Sequence, residues 1–163
     1  MRRKTVVSIL SVIAAGMMVF SPMTAFAAGI EEAGQTVDGS VLTLSDYVED
    51  TETVRTRSNF LGNGSVNLTN LGNHVLAIGG TTNCHVDCDT VYCNVYLEQM
   101  NDEEYWYTYE LWNHDTTNVH TLMVSETCVV EGGYWYRARG GHVAILNNAI
   151  ESITTATNGI WVD

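Results

Sequence analysis

Three of the four cysteines of the chain lie in one short stretch, TNCHVDCDTVYC (residues 82–93), beside a histidine and two aspartates. Cysteine and histidine residues close in sequence are common ligands of structural zinc. Here three residues separate the first two cysteines and four separate the next two, which is not the paired short spacing of a zinc knuckle. We therefore predict no bound metal and no cofactor. An even number of cysteines in an exported chain indicates disulfides instead.

The pairing of the cysteines is not determined by the sequence, because four cysteines allow three pairings. Cys93 is predicted on the inward face of an alternating strand, and Cys128 lies near the end of another strand, 35 residues later. A bridge between these two strands is reasonable, and Cys84 and Cys88 would then close a short loop. This is the pairing that we favour, and the alternatives are other pairings or a free thiol.

Two acid-rich stretches are the remaining candidates for metal binding. Asp87 and Asp89 flank Cys88, and residues 101–104 (NDEE) are expected to form a hairpin turn. Calcium sites of extracellular proteins use such oxygen ligands, but neither stretch has the spacing of a dedicated calcium loop. The sequence leaves calcium binding open.

A nucleophilic cysteine is the enzymatic alternative. Thr127 and Cys128 on one strand, Arg137 on the next, and His74 or His85 upstream resemble the Thr-Cys, Arg and His arrangement of sortase transpeptidases. Such chemistry needs a free thiolate held near a cation. The chain is short for that family, the three residues before Thr127 depart from its motif, and three further cysteines compete for Cys128.

Aromatic side chains and arginines alternate on two predicted strands, residues 105–112 and 134–139. Alternation places one set of them on a face that should be solvated, because burying unpaired charge is costly. The predicted ligand face consists of Trp106, Glu110, Trp112, Trp135, Arg137 and Arg139. Tryptophan beside acid and arginine suits stacking on a sugar or holding an extended peptide. The alternative is that tryptophan and arginine on adjacent strands simply cover each other.

The elements that position these residues are predicted to be strands. From about residue 54 the chain shows short alternating stretches separated by Gly and Asn, as in residues 91–97, where Val91, Cys93, Val95 and Leu97 share one face. The one proline of the chain lies before this region, and helical periodicity is weak. We predict an all-β fold, a single antiparallel β-sandwich of about seven to eight strands.

The N-terminal part of the chain is predicted to lie outside this domain. A basic cluster, an apolar run over residues 6–20 and the small residues Ala25 and Ala27 are typical of a secretory signal peptide, residues 1–27. Residues 28–53 carry seven acids and no Lys or Arg, which favours a flexible acidic leader. The β-sandwich domain is then residues 54–163, and the protein is secreted to the extracellular space.

The charge of the chain excludes several classes of partner. Three of the 7 Lys and Arg residues and none of the 19 acids lie in residues 1–27, so the remaining chain has a formal charge of 4 − 19 = −15. Binding to nucleic acid or to anionic lipid depends on Lys and Arg, so we expect neither nucleic-acid binding nor membrane insertion after signal cleavage. Strong like charge also favours a monomer.

Residues 132–140, GGYWYRARG, resemble the penultimate strand of fibronectin type III and related immunoglobulin-like sandwiches. The longer pattern from RSNFLG (57–62) through LGNHVLAIGGTTN (71–83) and CDTVYCNVYLEQ (88–99) to NGIWV (158–162) is similar to a family of small secreted proteins of Gram-positive bacteria with a domain of unknown function. This resemblance implies a compact secreted β domain, and it supplies no established activity or catalytic residues that could be assigned to this chain. Our functional hypothesis is a non-enzymatic extracellular module that binds a glycan or a protein.

Overall fold

The structure is a computed structural model that describes residues 29–54 and 59–163. Over these residues the chain forms eleven strands and one short 3-10 helix, without an α-helix. The elements are η1 (Ile30–Glu32), β1 (Thr36–Val37), β2 (Ser40–Thr43), β3 (Tyr47–Thr53), β4 (Leu61–Asn70), β5 (Val75–Cys88), β6 (Thr90–Met100), β7 (Trp106–Thr116), β8 (Val119–Val129), β9 (Tyr134–Leu146), β10 (Ala149–Ala156) and β11 (Gly159–Val162).

The strands form two sheets. Sheet I has seven strands in the order β1-β2-β11-β9-β6-β7, and β10 pairs with the far half of β9. Sheet II has four strands in the order β3-β4-β5-β8. Neighbouring strands are antiparallel except β2 and β11, which are parallel. The predicted all-β antiparallel sandwich is therefore confirmed, with eleven strands where seven to eight were expected.

An apolar core fills the space between the two sheets, and we call it the inner core. Sheet II contributes alternate residues such as Val66, Leu68 and Ile78, and sheet I contributes residues such as Val95 and Leu97. Each of these five side chains is fully buried. Burial of this apolar surface is the main term that holds the sheets together, since each such side chain contributes roughly 1.5–3 kcal/mol.

Residues 29–53 differ from the expectation of a flexible leader. They form η1 and three strands: β1 and β2 belong to sheet I, and β3 forms an edge of sheet II. Three apolar residues of this acidic segment, Val37, Leu42 and Val48, face inward and are buried, whereas Val41 and Leu44 are exposed. The sandwich thus includes residues on both sides of the boundary predicted at residue 54. The predicted signal peptide, residues 1–27, lies outside the described residues.

No helix in the described part of the chain has the length and apolar composition needed to cross a membrane.

A bulge interrupts the pairing of β6 with β7. Leu97 pairs with Glu110, but the next residue, Glu98, pairs with Thr108, so that Tyr109 is an extra residue in β7. A bulge of this kind reverses the faces of the residues on either side of it. Residues of β7 before Tyr109 and after it therefore do not follow one continuous alternation.

Candidate functional site

The six residues of the predicted ligand face lie on different sides of sheet I. Trp106 packs against buried residues on the outer face of the sheet, whereas Trp112 packs into the inner core between the sheets. Glu110 follows the bulge and pairs with the inward-facing Leu97 at the edge of the sandwich. The extra residue Tyr109 explains the difference, since it reverses the alternation on which the prediction depended. The structure thus removes Glu110 and Trp112 from this face.

Arg137 is buried on the outer face of sheet I, where ion pairs surround it. Only 4% of the residue is exposed. Its Nε donates to Glu98 at 2.7 Å, one Nη donates to the Ser40 hydroxyl at 3.0 Å, and the other donates to the Asp38 carboxylate at 3.0 Å. The guanidinium group is therefore satisfied within the protein and is not available to a ligand, which corrects the predicted role of Arg137.

Glu98 also pairs with the second arginine. Its other carboxylate oxygen lies 2.8 Å from Arg139 Nε, an ion pair without a well-directed hydrogen bond. Two aromatic rings cover the guanidinium groups: Arg137 lies 4.6 Å from the Trp106 ring centroid, and Arg139 lies 4.5 Å from that of Tyr96. This geometry agrees with the alternative that tryptophan and arginine cover each other, and it leaves the arginines a structural role.

Trp135 is the last residue of the predicted face, and only 1% of it is exposed. Its ring meets Trp161 edge to face at 5.3 Å. Its Nε1 donates to Gly29 O at 3.0 Å and to the Glu32 carboxylate at 2.9 Å. Together with residues of β1, β2 and β6 these indoles form a second, smaller core, which we call the outer core. Its buried members are Val37, Leu42, Met100, Trp135 and Trp161, with Trp106 packed against them.

An open pocket lies at one end of the outer core, which we call the Trp-acid pocket. Its volume is about 200 Å³. Four separate parts of the chain line it: η1, the turn between β6 and β7, the start of β9, and β11. The lining residues are Gly29, Glu32, Met100, Asn101, Asp102, Glu104, Gly133, Tyr134, Trp135 and Trp161. Three of these are carboxylates and three are aromatic, and no Lys or Arg is among them.

The rim of the Trp-acid pocket is a hydrogen-bonded turn. Asn101 Oδ1 accepts hydrogen bonds from the Glu103 and Tyr105 amides at 3.1 Å and 2.9 Å. Glu104 has a φ of 61°, in the left-handed region that non-glycine residues adopt rarely. The turn therefore holds two lining carboxylates, Asp102 and Glu104, at fixed positions beside the aromatic residues.

Sequence reasoning identified the acidic turn 101–104 but not its partners in the pocket. Glu32 and Trp161 lie far from that turn in sequence, and only the packing of η1 and β11 brings them to it. One indication was present in the sequence: a tryptophan in the last strand, at an apolar end of an otherwise acidic chain.

The cysteines occupy three separate places, and all four are free thiols. Cys93 faces Gly80 of β5, where a Cβ atom would lie 2.8 Å from its sulfur. Cys128 pairs with Leu76, which precedes Gly80 by four residues on β5. Four residues correspond to about 13 Å along a strand. That separation is too long for a disulfide, so the predicted Cys93–Cys128 bridge is corrected.

Cys84 and Cys88 are close neighbours in a cluster with Phe60 and Leu61. Burial, with a hydrogen bond that the Cys84 thiol donates to Cys88 as the second cause, raises the pKa of Cys84 to about 12. The structure thus brings together the two cysteines that were predicted to close a short loop, but without a disulfide between them.

Cys128 does not form the site that a cysteine enzyme needs. Burial raises the pKa of its thiol, and the nearby Glu110 carboxylate raises that pKa further. Cys128 packs toward the inner core, whereas Arg137 lies on the outer face of sheet I. The structure therefore does not bring Cys128 and Arg137 together, and Arg137 does not supply the nearby cation that would activate the thiol.

The two aspartates that flank Cys88 contact other groups of the protein. Asp87 lies 2.8 Å from His120, and Asp89 accepts the Asn147 amide at 2.7 Å. In the described ranges no group of three or more His, Cys, Asp or Glu side chains is arranged to hold a metal ion.

A protein-family model matches residues 24–160, which include ten of the eleven strands in full. The chain belongs to DUF6147, a family of unknown function. The DUF6147 match extends further toward the N-terminus than the sequence pattern that begins at residue 57, in keeping with the place of β1 to β3 in the sandwich. No curated protein and no solved structure matches the chain.

Proposed function

We propose that this DUF6147 protein is a secreted, non-enzymatic binding module that holds a basic side chain of a peptide in the Trp-acid pocket. Secretion is supported by the N-terminal pattern of residues 1–27. The observation that carries the proposal is the composition of the pocket, with three carboxylates beside Tyr134, Trp135 and Trp161 and no cation.

The surroundings of the pocket leave its charge uncompensated. Arg137 and Arg139 are the only Lys or Arg residues in the described ranges, and both pair with Glu98. The Glu32 carboxylate has a hydrogen bond from the Trp135 indole, which carries no charge. A cation that enters the pocket therefore meets three carboxylates with the half-buried Tyr134 beside them, a combination that favours ammonium and guanidinium groups.

A peptide fits the pocket better than a glycan does. Sugar binding by stacking needs an exposed aromatic face, but Trp135 and Trp161 are only 1% and 8% exposed. The aliphatic stem of a lysine or arginine can contact Met100 while its charged end reaches the carboxylates.

The test is binding to a peptide array in which every sequence occurs with arginine, lysine, norleucine or glutamate at its centre. We expect retention of the arginine and lysine versions only. The double substitution Asp102→Asn with Glu104→Gln should weaken their binding by about tenfold, because two partly solvated charge pairs are lost.

The matched control is Glu103→Gln, which removes one acid from the same turn at a position that does not line the pocket. Its affinity should stay within about twofold of the unaltered chain. The proposal fails if no basic peptide is retained, if Glu103→Gln weakens binding as much as the double substitution, or if a parallel glycan array gives the only binding.

A further inference from the structure

Strand β8 is a free edge of sheet II. It pairs with β5 on one side, and no strand of the described residues pairs with its other side. It is eleven residues long, so it presents a long row of backbone N–H and C=O groups. Such an edge is a template for another strand, and monomeric proteins protect their edges against this.

The other edges of the two sheets, within the described residues, carry the usual protection. β1 has only two residues, and β3 carries the acids Glu49, Asp50 and Glu52. β7 has the bulge and two exposed acids. β10 donates its Ala156 amide to the Asp50 carboxylate at 2.9 Å. Short length, charge, a bulge and side-chain cover are all means by which natural sheets block edge pairing.

β8 has less of this protection: the irregularity in its pairing with β5 lies at its start, between Val119 and Thr121. Its sequence, VHTLMVSETCV, contains no Lys, Arg, Pro or Gly. Its one acid, Glu126, lies 2.9 Å from His114 of β7, on the side that faces the other sheet. Met123 and Val129 are each 74% exposed, the highest values among the large apolar residues of the described ranges. From Thr121 to Val129 this edge carries one acid, the inward-facing Glu126, and it is the least protected of the five edges, which indicates that a strand covers it.

Electrostatics permit a second copy at this edge despite the acidity of the chain. The outward-facing residues of β8 are uncharged: Thr121, Met123, Ser125, Thr127 and Val129. The outward-facing residues of the neighbouring strands β5 and β4 are uncharged as well. Among the paired outward positions of sheet II the one acid is Glu49, which lies on β3 at the opposite edge. Most of the acids of the chain therefore lie away from this side of the sandwich, so two copies meet there with little repulsion.

The sequence of β8 is self-complementary in an antiparallel pairing about a two-fold axis at Val124. On the outer face this register sets Thr121 opposite Thr127 and Met123 opposite Ser125. The end residues Val119 and Val129 also face each other. No two like charges are opposite, and threonine pairs and β-branched pairs are favourable cross-strand neighbours.

We infer that β8 pairs with β8 of a second copy, so that two four-stranded sheets become one continuous sheet in a symmetric dimer. This replaces the monomer expected from net charge. The Trp-acid pocket belongs to the other sheet, so the dimer leaves it open.

Sedimentation velocity of the mature chain over a wide range of concentrations tests the inference. We expect a reversible shift from one to two chain masses. Met123→Lys places a cation on the exposed edge and should raise the dimer dissociation constant by about tenfold or more. The matched control is Ile150→Lys, an exposed apolar residue of β10, because it changes the net charge equally and should leave the dissociation constant unchanged.

Hydrogen exchange of the unaltered chain gives an independent readout that needs no substitution. Pairing protects the β8 amides that point away from β5, so their exchange should slow as the concentration rises, while exchange in β7 stays constant. A chain that remains monomeric throughout overturns the inference. So does a dimer in which Met123→Lys and Ile150→Lys act alike, or in which β8 exchange does not change.

Discussion

His142 and Arg137 are both buried polar residues of β9, but the two cores hold them in opposite ways. In the inner core, His142 lies between the hydroxyls of Thr82 and Thr155, each 2.9 Å from a ring nitrogen, with Cys93 at 3.9 Å. Burial lowers the pKa of His142 to about 4, so the ring is neutral there. In the outer core, Arg137 stays charged and is compensated by carboxylates.

The partners of the two residues differ because burial acts differently on a group that can lose its charge and on one that cannot. A group that can lose its charge does so when burial removes water, and neutral hydroxyls then suffice as partners. Arginine keeps its charge under all ordinary conditions, so burial requires a counter-charge with good hydrogen-bond geometry. The stability contributed by the inner core should therefore depend on pH, and the stability contributed by the outer core should depend on the carboxylate of Glu98.

The largest expected effect is at Glu98, which pairs with both arginines. Glu98→Gln leaves Arg137 buried without its main counter-charge and should lower the free energy of unfolding by about 3–5 kcal/mol. Urea denaturation measures this. The control Glu110→Gln, at an exposed acid of β7, should change stability by no more than about 0.5 kcal/mol.

A double variant distinguishes the loss of the ion pair from the burial of a charge without a partner. If Glu98 and Arg137 are replaced together by leucine and methionine, most of the loss should be recovered, because the charges left without a partner, Arg139 and Asp38, are exposed to water rather than buried. Equal stability of Glu98→Gln and Glu110→Gln would contradict the role assigned to Glu98.

The next effect is the pH dependence of the inner core. An unfolded histidine has a pKa near 6.5 and the folded His142 a pKa of about 4. Between these values the unfolded chain binds more protons, so the free energy of unfolding should fall as the pH drops from about 6.5 to about 4, by about 3 kcal/mol. Asp50, the charged group acting on the ring, opposes this shift in part.

Urea midpoints measured across this pH range in the unaltered chain and in His142→Gln isolate the contribution of His142 from that of the carboxylates. His120→Gln, an exposed histidine, is the control and should keep the full pH dependence. The same slope in all three proteins would show that His142 is not the group that titrates.

The smallest expected effect is at Asp38, the exposed partner of Arg137. Its side chain is 77% exposed, so water already screens this ion pair. Asp38→Asn should lower the free energy of unfolding by at most about 1 kcal/mol. Asp46→Asn, an exposed acid of the same segment, should have no measurable effect. A loss at Asp38 as large as that at Glu98 would mean that the outer core depends on the N-terminal segment more than its exposure suggests.

The fold was predictable from the sequence because strand alternation is a local property. Val91, Cys93, Val95 and Leu97 were placed on one inward face, and all four are fully buried. Apolar residues at every second position need a covered face, and turn residues between such stretches limit the strands to antiparallel neighbours.

The candidate site was less predictable because single residues and distant contacts decide it. One extra residue, Tyr109, moved Trp112 to the opposite face from Trp106. The burial of Arg137 depends on Asp38 and Ser40, about 100 residues earlier in a segment whose composition indicated flexibility. Neither the bulge at Tyr109 nor the contacts of Arg137 with Asp38 and Ser40 can be recognised from a local sequence pattern.

The parallel pairing of β2 with β11 has a consequence for how the molecule is made. β11 (residues 159–162) lies between β2 (residues 40–43) and β9, so it is the only link between the N-terminal hairpin and the rest of sheet I. A nascent chain cannot complete sheet I until β11 has been synthesised. Joining elements so far apart in sequence has a high loop-closure entropy and slows folding. In a growing chain β2 therefore pairs only with β1, and the N-terminal segment docks on sheet I only after residues 159–162 have been made.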